Sequence, residues 1–445
     1  MSNPAVNPAH SYHVALRTMA DGTLKQVNPF SGTEVWTVPG RGNRPLGAPA
    51  APPEPLQPGA HTDTCNFCEA RKLRTPPEKA RLVDSGDGFA ILRDVMPGEL
   101  DDTIAQFRRG PHLFEIVSYD YWRKNYGYQM PDARREHMER YLADPAGRSH
   151  VLETVRTRLA AAGQDPQMPD AQLLELAPAY FGGGHDVIIA RRHYADGAQR
   201  SDQLAGSGAL SPEEHYRFIA FTVDSLRDLV EQHTYARYVV VFQNWLSPAG
   251  ASFEHLHKQL VAIDERGVNA ETETAKLRQN VNLYNDWGVN HAFYHNLVIA
   301  ENEHAILTAG VGHRYPTMTV YSKSRASEPW QHTADEVRGV SDLLHAAHAA
   351  TGGQVATNEE WHYRPMDLDV PMPWRINLKW RISTLAGFEG GTQVYVNTLS
   401  PFDVRDRVTA ALRTLRNDGR VAAIRIAEEC TPAPNLLRYN PNLEG

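Results

Sequence analysis

The sequence predicts an α+β protein of two tandem, similar halves, each an antiparallel sheet packed with helices, and three observations predict it. First, the order strand, strand, helix, strand occurs twice: "FYHNLVIAENEHAILTAG" echoes "RLVDSGDGFAILRDV", and "TMTVYSKSR" echoes "DVIIARRHY". Second, two capping boxes, Ser211-Pro212-Glu213-Glu214 and Thr333-x-x-Glu336, open helical stretches in the two halves. Third, "SFEHLHKQLVAID" (252–264) spaces His255, His257 and Gln259 two apart, just before an apolar run. Residues two apart on a helix diverge by about 200°, whereas on a strand they share one face at about 6.5–7 Å. That stretch is therefore a strand with a polar face.

The elements follow in order. Residues 24–45 read as a hairpin, two alternating runs around Pro29-Phe30-Ser31-Gly32. With a Pro/Ala-rich linker to about 61 they form an N-terminal arm, residues 1–61. The first half is placed at 62–290. It opens on "TCNFCEA" and passes into "GFAILRDVMPG" (88–98), a strand and a turn. Charges at helical spacing across about 116–180, as in "ARREHMERYLAD", mark a helical insertion. The chain returns to a strand at "GGGHDVIIARRHY" (182–194), then a helix from Ser211 to about 232. "ARYVVVFQNW" (236–245) is a buried strand, and the loop "LSPAGASFE" leads to the histidines. The second half, 291–445, repeats the plan with the helix "DEVRGVSDLLHAAHAA", the strand-like "WRINLKWRISTLAGFE" and "TQVYVNTLS", and a last helix near 402–417. The C-x-x-C and H-x-H occur in the first half alone.

Composition narrows the function classes. The 445 residues are 41% hydrophobic and 22% charged, ordinary for a globular protein, with a net charge of −8. No long basic run is present, which argues against nucleic acid as a partner. No stretch nears 18 apolar residues, so no membrane span is expected. The N-terminus lacks a basic region followed by an apolar core, so a cytoplasmic location is expected.

Three cysteines argue against a disulfide framework. Cys65 and Cys68 form a C-x-x-C after the loop "PLGAPAAPPEPLQPGAHTDT". A redox pair wants a strand before it and a helix running from its first cysteine, so a metal is the better reading. Cys430 carries no assigned role. A structural zinc takes four tetrahedral ligands. Cys65, Cys68, His193 at the end of "DVIIARRH", and either His255 or His257 supply them. Four protein ligands leave no open position for water, so the zinc would clamp the loop to the strand. The remaining histidine of the pair is free to act as a nucleophile.

Taken together, these motifs resemble the galactose-1-phosphate uridylyltransferase family of the histidine-triad superfamily. The resemblance runs over most of the chain: "NPFSGTEVWTVPGRGNRP", "CNFC", "GHDVIIARRH", "FQNWLSPAGASFEHLHKQ" and "WHYRP" fall in the family's order. "AGFEGGTQVYVNTLSPFDV" resembles the branch of ADP-sugar phosphorylases and adenylyltransferases. The resemblance implies a histidine-triad-like fold and one structural zinc per chain on Cys65, Cys68, His193 and His255. It implies His257 as the nucleophile and Gln259 as the residue that holds the transferred phosphate. It places Asn244 and Ser252 in the loop around the nucleotide phosphates and Arg41 and Arg44 on phosphate. Sugar nucleotide, sugar 1-phosphate or phosphate are the implied partners, and a homodimer the implied assembly.

Chemistry supports those roles. A neutral imidazole attacks phosphorus well when its other nitrogen is pinned to a carbonyl, and fixed donors must surround the phosphoryl oxygens. An amide at 259 cannot donate a proton as an acid, which favours transfer over hydrolysis. The expected activity is a ping-pong nucleotidyl transfer from a sugar nucleotide to a sugar 1-phosphate. The alternatives are a sugar-nucleotide or dinucleoside-polyphosphate phosphorylase or adenylyltransferase and, from another class, a non-catalytic zinc-stabilised nucleotide-binding protein.

Departures from the family are specific. Leu256 replaces the proline between the histidines. Where some relatives hold a second metal through an H-x-H, "WRINLKW" has Arg375 and Asn377, so no second metal is expected and His362 is expected to contact a sugar or bond structurally. Asp87 of "VDSGDGFAIL" is expected at a ribose hydroxyl. Gln393 stands in the sugar-recognition stretch where phosphorylase relatives have glycine, and the 116–180 insertion is expected to cover or narrow the site.

Overall fold

The computed structural model describes residues 15–40, 52–86, 88–383 and 385–441. They fall into two compact units, one of residues 52–265 with 365–367, the other drawn from 1–51, 266–364 and 368–445.

At the N-terminus, β1 (Leu16–Thr18), β2 (Leu24–Val27) and β3 (Glu34–Thr37) form an antiparallel ribbon. Asn28 shapes the turn between β2 and β3. Its side-chain oxygen accepts from the backbone N–H groups of Phe30 and Ser31 at 3.0 and 2.9 Å, the local bonding that makes asparagine a turn residue.

The unit of residues 52–265 is built on six strands. They are β4 (Ala80–Asp84), β5 (Phe89–Arg93), β6 (Ala105–Pro111), β7 (His185–Ala190), β8 (Tyr238–Trp245) and β9 (His257–Ile263). Their order is β5-β4-β6-β7-β9-β8, antiparallel throughout. Between β6 and β7 lie α1 (Tyr119–Tyr126), α2 (Asp132–Ala143), α3 (Pro145–Ala161), α4 (Asp170–Leu174) and α5 (Ala179–Gly182). These insertion helices close over an apolar cluster of their own that includes Tyr141, Val151, Val155, Leu173 and Phe181.

The long helix α6 (Pro212–Gln232) starts where the capping box predicts. Ser211 Oγ accepts from the Glu214 N–H at 3.2 Å, and the Glu214 carboxylate accepts from the Ser211 N–H at 2.8 Å. Its buried Phe218, Phe221, Thr222, Ser225 and Leu229 recur at helical spacing and cover one sheet face. Phe107 of β6 stacks on Phe218 at 4.8 Å, and the Lys258 ammonium of β9 lies 4.9 Å from the same ring. Lys258 therefore points to the helix side. Strand alternation sends His257 and Gln259 to the opposite face.

The other unit repeats the plan. After α7 (Gly267–Gln279) and α8 (His291–Tyr294) come β10 (Val298–Glu301), β11 (Ala305–Ala309), β12 (Thr317–Ser322), α9 (Ala334–Thr351), β13 (Thr357–His362) and β14 (Arg375–Trp380). Then follow α10 (Gly387–Thr392), β15 (Val394–Asn397), α11 (Pro401–Asn417) and β16 (Arg425–Ile426). The strands run β16-β10-β11-β12-β14-β13, again antiparallel, and β15 pairs parallel to β3.

Strand position corrects one detail of the sequence echo. β11 borders β12 as β6 borders β7, so β6 and not β5 is its counterpart. β5 is an edge strand and at most half-buried, whereas every residue of β11 is buried. An apolar alternation does not by itself tell an edge from a centre.

The register sharpens the echo elsewhere. Phe242 opposes Gln259 and Glu360 opposes Asn377, 17 positions apart in both hairpins. Ile189 opposes His257 as Tyr321 opposes Arg375. Arg375 thus holds the place of His257, Asn377 that of Gln259, and His362 that of Asn244.

Candidate metal centre and the adjoining histidine

Four ligand atoms converge within the unit of residues 52–265: Cys65 Sγ, Cys68 Sγ and Nδ1 of His193 and His255, all within 4.8 Å of one another. The cysteines lie on a turn closed by the Cys68 N–H donating to the Cys65 carbonyl at 3.0 Å. His193 lies three residues beyond β7, and His255 two residues before β9.

The spacing fits a tetrahedral ion. With metal–sulfur bonds of about 2.3 Å and metal–nitrogen bonds of about 2.0–2.1 Å, tetrahedral edges are about 3.8 Å for S···S and about 3.5 Å for S···N. Here the sulfurs are 3.9 Å apart and the four S···N distances are 3.5, 3.5, 3.6 and 3.8 Å. The tautomer also fits. His255 Nε2 lies 2.6 Å from the Ala190 carbonyl, which can only accept, so its proton is on Nε2 and Nδ1 faces the thiols with a lone pair. The Cys68 thiol is held well below its ordinary range by the hydrogen bond from Cys65, aided by His193 and His255. Together Cys65, Cys68, His193 and His255 can hold a metal ion, and a pair of thiolates with a pair of imidazoles is the donor set that suits zinc.

His257 begins β9, 4% exposed. Its Nδ1 is 2.7 Å from the His255 carbonyl oxygen. That oxygen cannot donate, so Nδ1 carries the proton and Nε2 keeps its lone pair. Burial pushes the imidazole down to about 4, aided by the nearby His255 and His112, so the ring is neutral near pH 7. The ring edge of Phe67, a residue of the C-x-x-C turn, packs 5.1 Å from it. The turn that gathers the metal ligands thus also walls the histidine.

Gln259 follows on the same face, half-buried, its Oε1 3.0 Å from His185 Nε2. Asn244 lies half-buried near the end of β8, and Ser252 is exposed in the β8–β9 loop. The loop leaves β8 through Leu246 at φ 66° and ψ 155°. A non-glycine residue there costs about 1–3 kcal/mol and persists only where its surroundings enforce it, as often happens at functional loops.

The remaining expected residues lie elsewhere. Arg41, Arg44 and Asp87 are outside the described residues. His362 and Gln393 belong to the other compact unit. His362 Nε2 there sits 3.1 Å from Asn377 Nδ2, and Gln393 is an exposed residue at the end of α10 with φ 57°. Three neighbours of His257 and Gln259 went unassigned in the sequence reading: Phe67, His185 and His112. Their roles come from packing and from one backbone contact, for which the sequence has no local signal.

Residues 19–439 match the family described as "Domain of unknown function (DUF4921)". Among curated proteins, an ADP-glucose phosphorylase from Arabidopsis thaliana is 27% identical over 188 residues, 39% of this chain and 52% of that protein. The chain thus spans about half the length of that relative. Among solved structures, an ADP-glucose phosphorylase from Arabidopsis thaliana with bound ADP-glucose superposes with a TM-score of 0.56 at 18% identity, over 87% of this chain and 98% of that one. A galt-like protein from Arabidopsis thaliana gives a TM-score of 0.54 at 16% identity, over 86% of this chain and 98% of that one. These likenesses establish the fold. They bear out the expected α+β class and the resemblance to the galactose-1-phosphate uridylyltransferase and ADP-sugar phosphorylase proteins. Among the described residues, no helix is long and apolar enough to cross a membrane.

Proposed function

This chain belongs to the DUF4921 family, and from that premise we propose that it is a nucleotidyltransferase that moves a nucleoside monophosphate from a sugar nucleotide to a phosphate-bearing acceptor through a nucleotidyl-His257 intermediate. One observation carries the proposal. His257 donates Nδ1–H to the His255 carbonyl at 2.7 Å, which leaves Nε2 as a lone pair beside the cluster of Cys65, Cys68, His193 and His255 that can hold a metal.

The chemistry balances without an acid or a base. Nε2 forms a bond to the α-phosphorus of a nucleoside diphosphate sugar. The bridging P–O bond breaks, and sugar 1-phosphate leaves with the electron pair. The imidazole, now nucleotidylated and still protonated on Nδ1, is cationic, and the His255 carbonyl stabilises that charge. A phosphate oxygen of the acceptor then attacks the same phosphorus and releases neutral His257. Gln259 supplies an amide donor to the phosphoryl oxygens. Ser252 and Asn244 are assigned to the phosphates, as are Arg41 and Arg44. Asp87, His362 and Gln393 are assigned to the sugar nucleotide by resemblance. Zinc bound by Cys65, Cys68, His193 and His255 would fix the turn carrying Phe67 and the strand start carrying His257. The reading includes a homodimer and a cytoplasmic location, where the thiols stay reduced.

A second reading, inorganic phosphate as acceptor, is favoured by the similarity to an ADP-glucose phosphorylase. Two incubations decide. Wild type is mixed with ADP-glucose or UDP-glucose and its intact mass measured. An acid-labile gain of one nucleoside monophosphate is expected, and none with His257→Ala. The adduct is then offered galactose 1-phosphate or inorganic phosphate, and the faster discharge names the acceptor. No adduct from any sugar nucleotide, with transfer undiminished in His257→Ala, would overturn the reading.

A further inference from the structure

The orientation of an amide cannot be read from its own shape, because its oxygen and nitrogen ends are nearly alike. At Gln259 it decides function. The nitrogen end donates to a phosphoryl oxygen, and the oxygen end repels one. A chain of hydrogen bonds that begins in the backbone settles which end is which.

The Ile116 N–H lies 3.1 Å from His185 Nδ1. A backbone N–H can only donate, so Nδ1 is the lone-pair nitrogen and the ring proton sits on Nε2. His185 Nε2 lies 3.0 Å from the Gln259 side chain. That N–H needs an acceptor, so the Gln259 oxygen faces His185 and the NH₂ group is the end left for a ligand. β7 and β9 put the two in reach. Val187 opposes Gln259, and His185, one step along the same face, is its diagonal neighbour. His112 closes the back of the ring. The β6–β7 ladder continues through its N–H to the His185 carbonyl at 2.8 Å, and the two imidazoles stack 4.3 Å apart and 1° from parallel. Burial pushes His185 down to about 4, in keeping with a neutral ring.

We propose that His185 is a positioning residue for phosphate recognition, fixing the Gln259 amide with its NH₂ toward the transferred phosphoryl group, and that Ile116, on the segment leading into the helical insertion, sets the His185 tautomer. The inference rests on the nucleotidyl-transfer reading and deepens it. The inserted segment then has a direct link to the chemistry, through one backbone N–H.

The test is a double-mutant cycle on the rate of adduct formation. His185→Phe keeps the stacking on His112 and removes the donor. It is expected to slow the step by about tenfold or more, the scale on which outer-shell partners act. In a Gln259→Ala background the same change is expected to cost less than about twofold, because its effect runs through Gln259. His185→Gln, which can still donate to the Gln259 oxygen, is expected to recover most of the rate. Additive losses in the cycle would overturn the inference. A nitrogen NMR spectrum of resting wild type gives an independent readout, with His185 protonated on Nε2 and bare on Nδ1. The opposite tautomer sinks the inference and leaves the nucleotidyl-transfer reading intact. A wild type that forms no adduct sinks that reading, and the inference with it.

Discussion

In the proposed reaction His257 and Gln259 divide one task, and their identities choose its outcome. There the imidazole makes the bond to phosphorus. The neutral amide two residues on cannot protonate a leaving group or activate water. Gln259→His supplies a group that can do both, so the adduct of that variant is expected to lose its nucleotide to water at least about tenfold faster in the absence of acceptor, within the usual range for acid–base assistance. Mass spectrometry of the trapped adduct against time measures this, and an unchanged lifetime would show that the amide does not protect the intermediate. Much at this scale was legible beforehand. The C-x-x-C after a proline-rich loop and the strand-spaced histidines pointed to a metal turn beside a nucleophile, and the resemblance separated His255 from His257. The structure gathers those four ligand atoms within 4.8 Å. The part played by His185 was not legible, because its tautomer depends on Ile116, 69 residues away.

At the scale of elements, the metal turn is the least self-sufficient part of the unit. Residues 61–74 contain only turns and short 3-10 segments, and Cys68 and Phe67 tie them to the sheet. A metal bound there would hold such a turn in shape, since metal binding is coupled to local folding. One zinc per chain is expected by elemental analysis. Cys68→Ser, or a strong chelator, is expected to lower the melting temperature and to slow adduct formation, because Phe67 then leaves the wall of His257. A zinc-free protein with full activity would refute the clamp. The α6 cap is a contrast at the same scale. Ser211→Ala removes an N-cap bond and is expected to cost about 1 kcal/mol with adduct formation unchanged, since α6 covers the face away from His257. Both capping boxes were readable because capping is local. The place of β5 was not, because an apolar alternation reads the same at the edge of a sheet as at its centre.

On the scale of the whole chain, the repeated strand plan has two different solutions at one structural position. His257 and Arg375 hold equivalent places in equivalent strands, yet Arg375 is closed off. It is 3% exposed, donates to Glu273 at 2.5 Å, and lies over the rings of Tyr284 and Phe30 at 4.8 and 5.5 Å. Tyr284 donates to the same carboxylate at 2.9 Å. The first copy keeps an unprotonated imidazole nitrogen there, and the second spends the position on a buried ion pair. The two substitutions should therefore separate activity from stability. His257→Ala is expected to abolish the adduct and to cost only roughly 1–2 kcal/mol for one orphaned carbonyl. Arg375→Ala strands a buried carboxylate and is expected to cost roughly 3–5 kcal/mol, without removing any group that touches phosphorus. The pair also has a pH signature. Burial opposes the charge on Glu273, but Arg375, His362 and the hydrogen bonds from Arg375 and Tyr284 outweigh it and hold the carboxyl below its ordinary range. A depressed carboxylate stabilises the fold above its unfolded pKa of about 4.3 and loses that stabilisation as the pH falls through its folded value. Denaturant melts of wild type and Arg375→Ala should differ most near neutral pH and converge as the pH drops below about 4. A gap that stays constant across that range would mean that packing of the guanidinium, and not its charge, holds the second copy together.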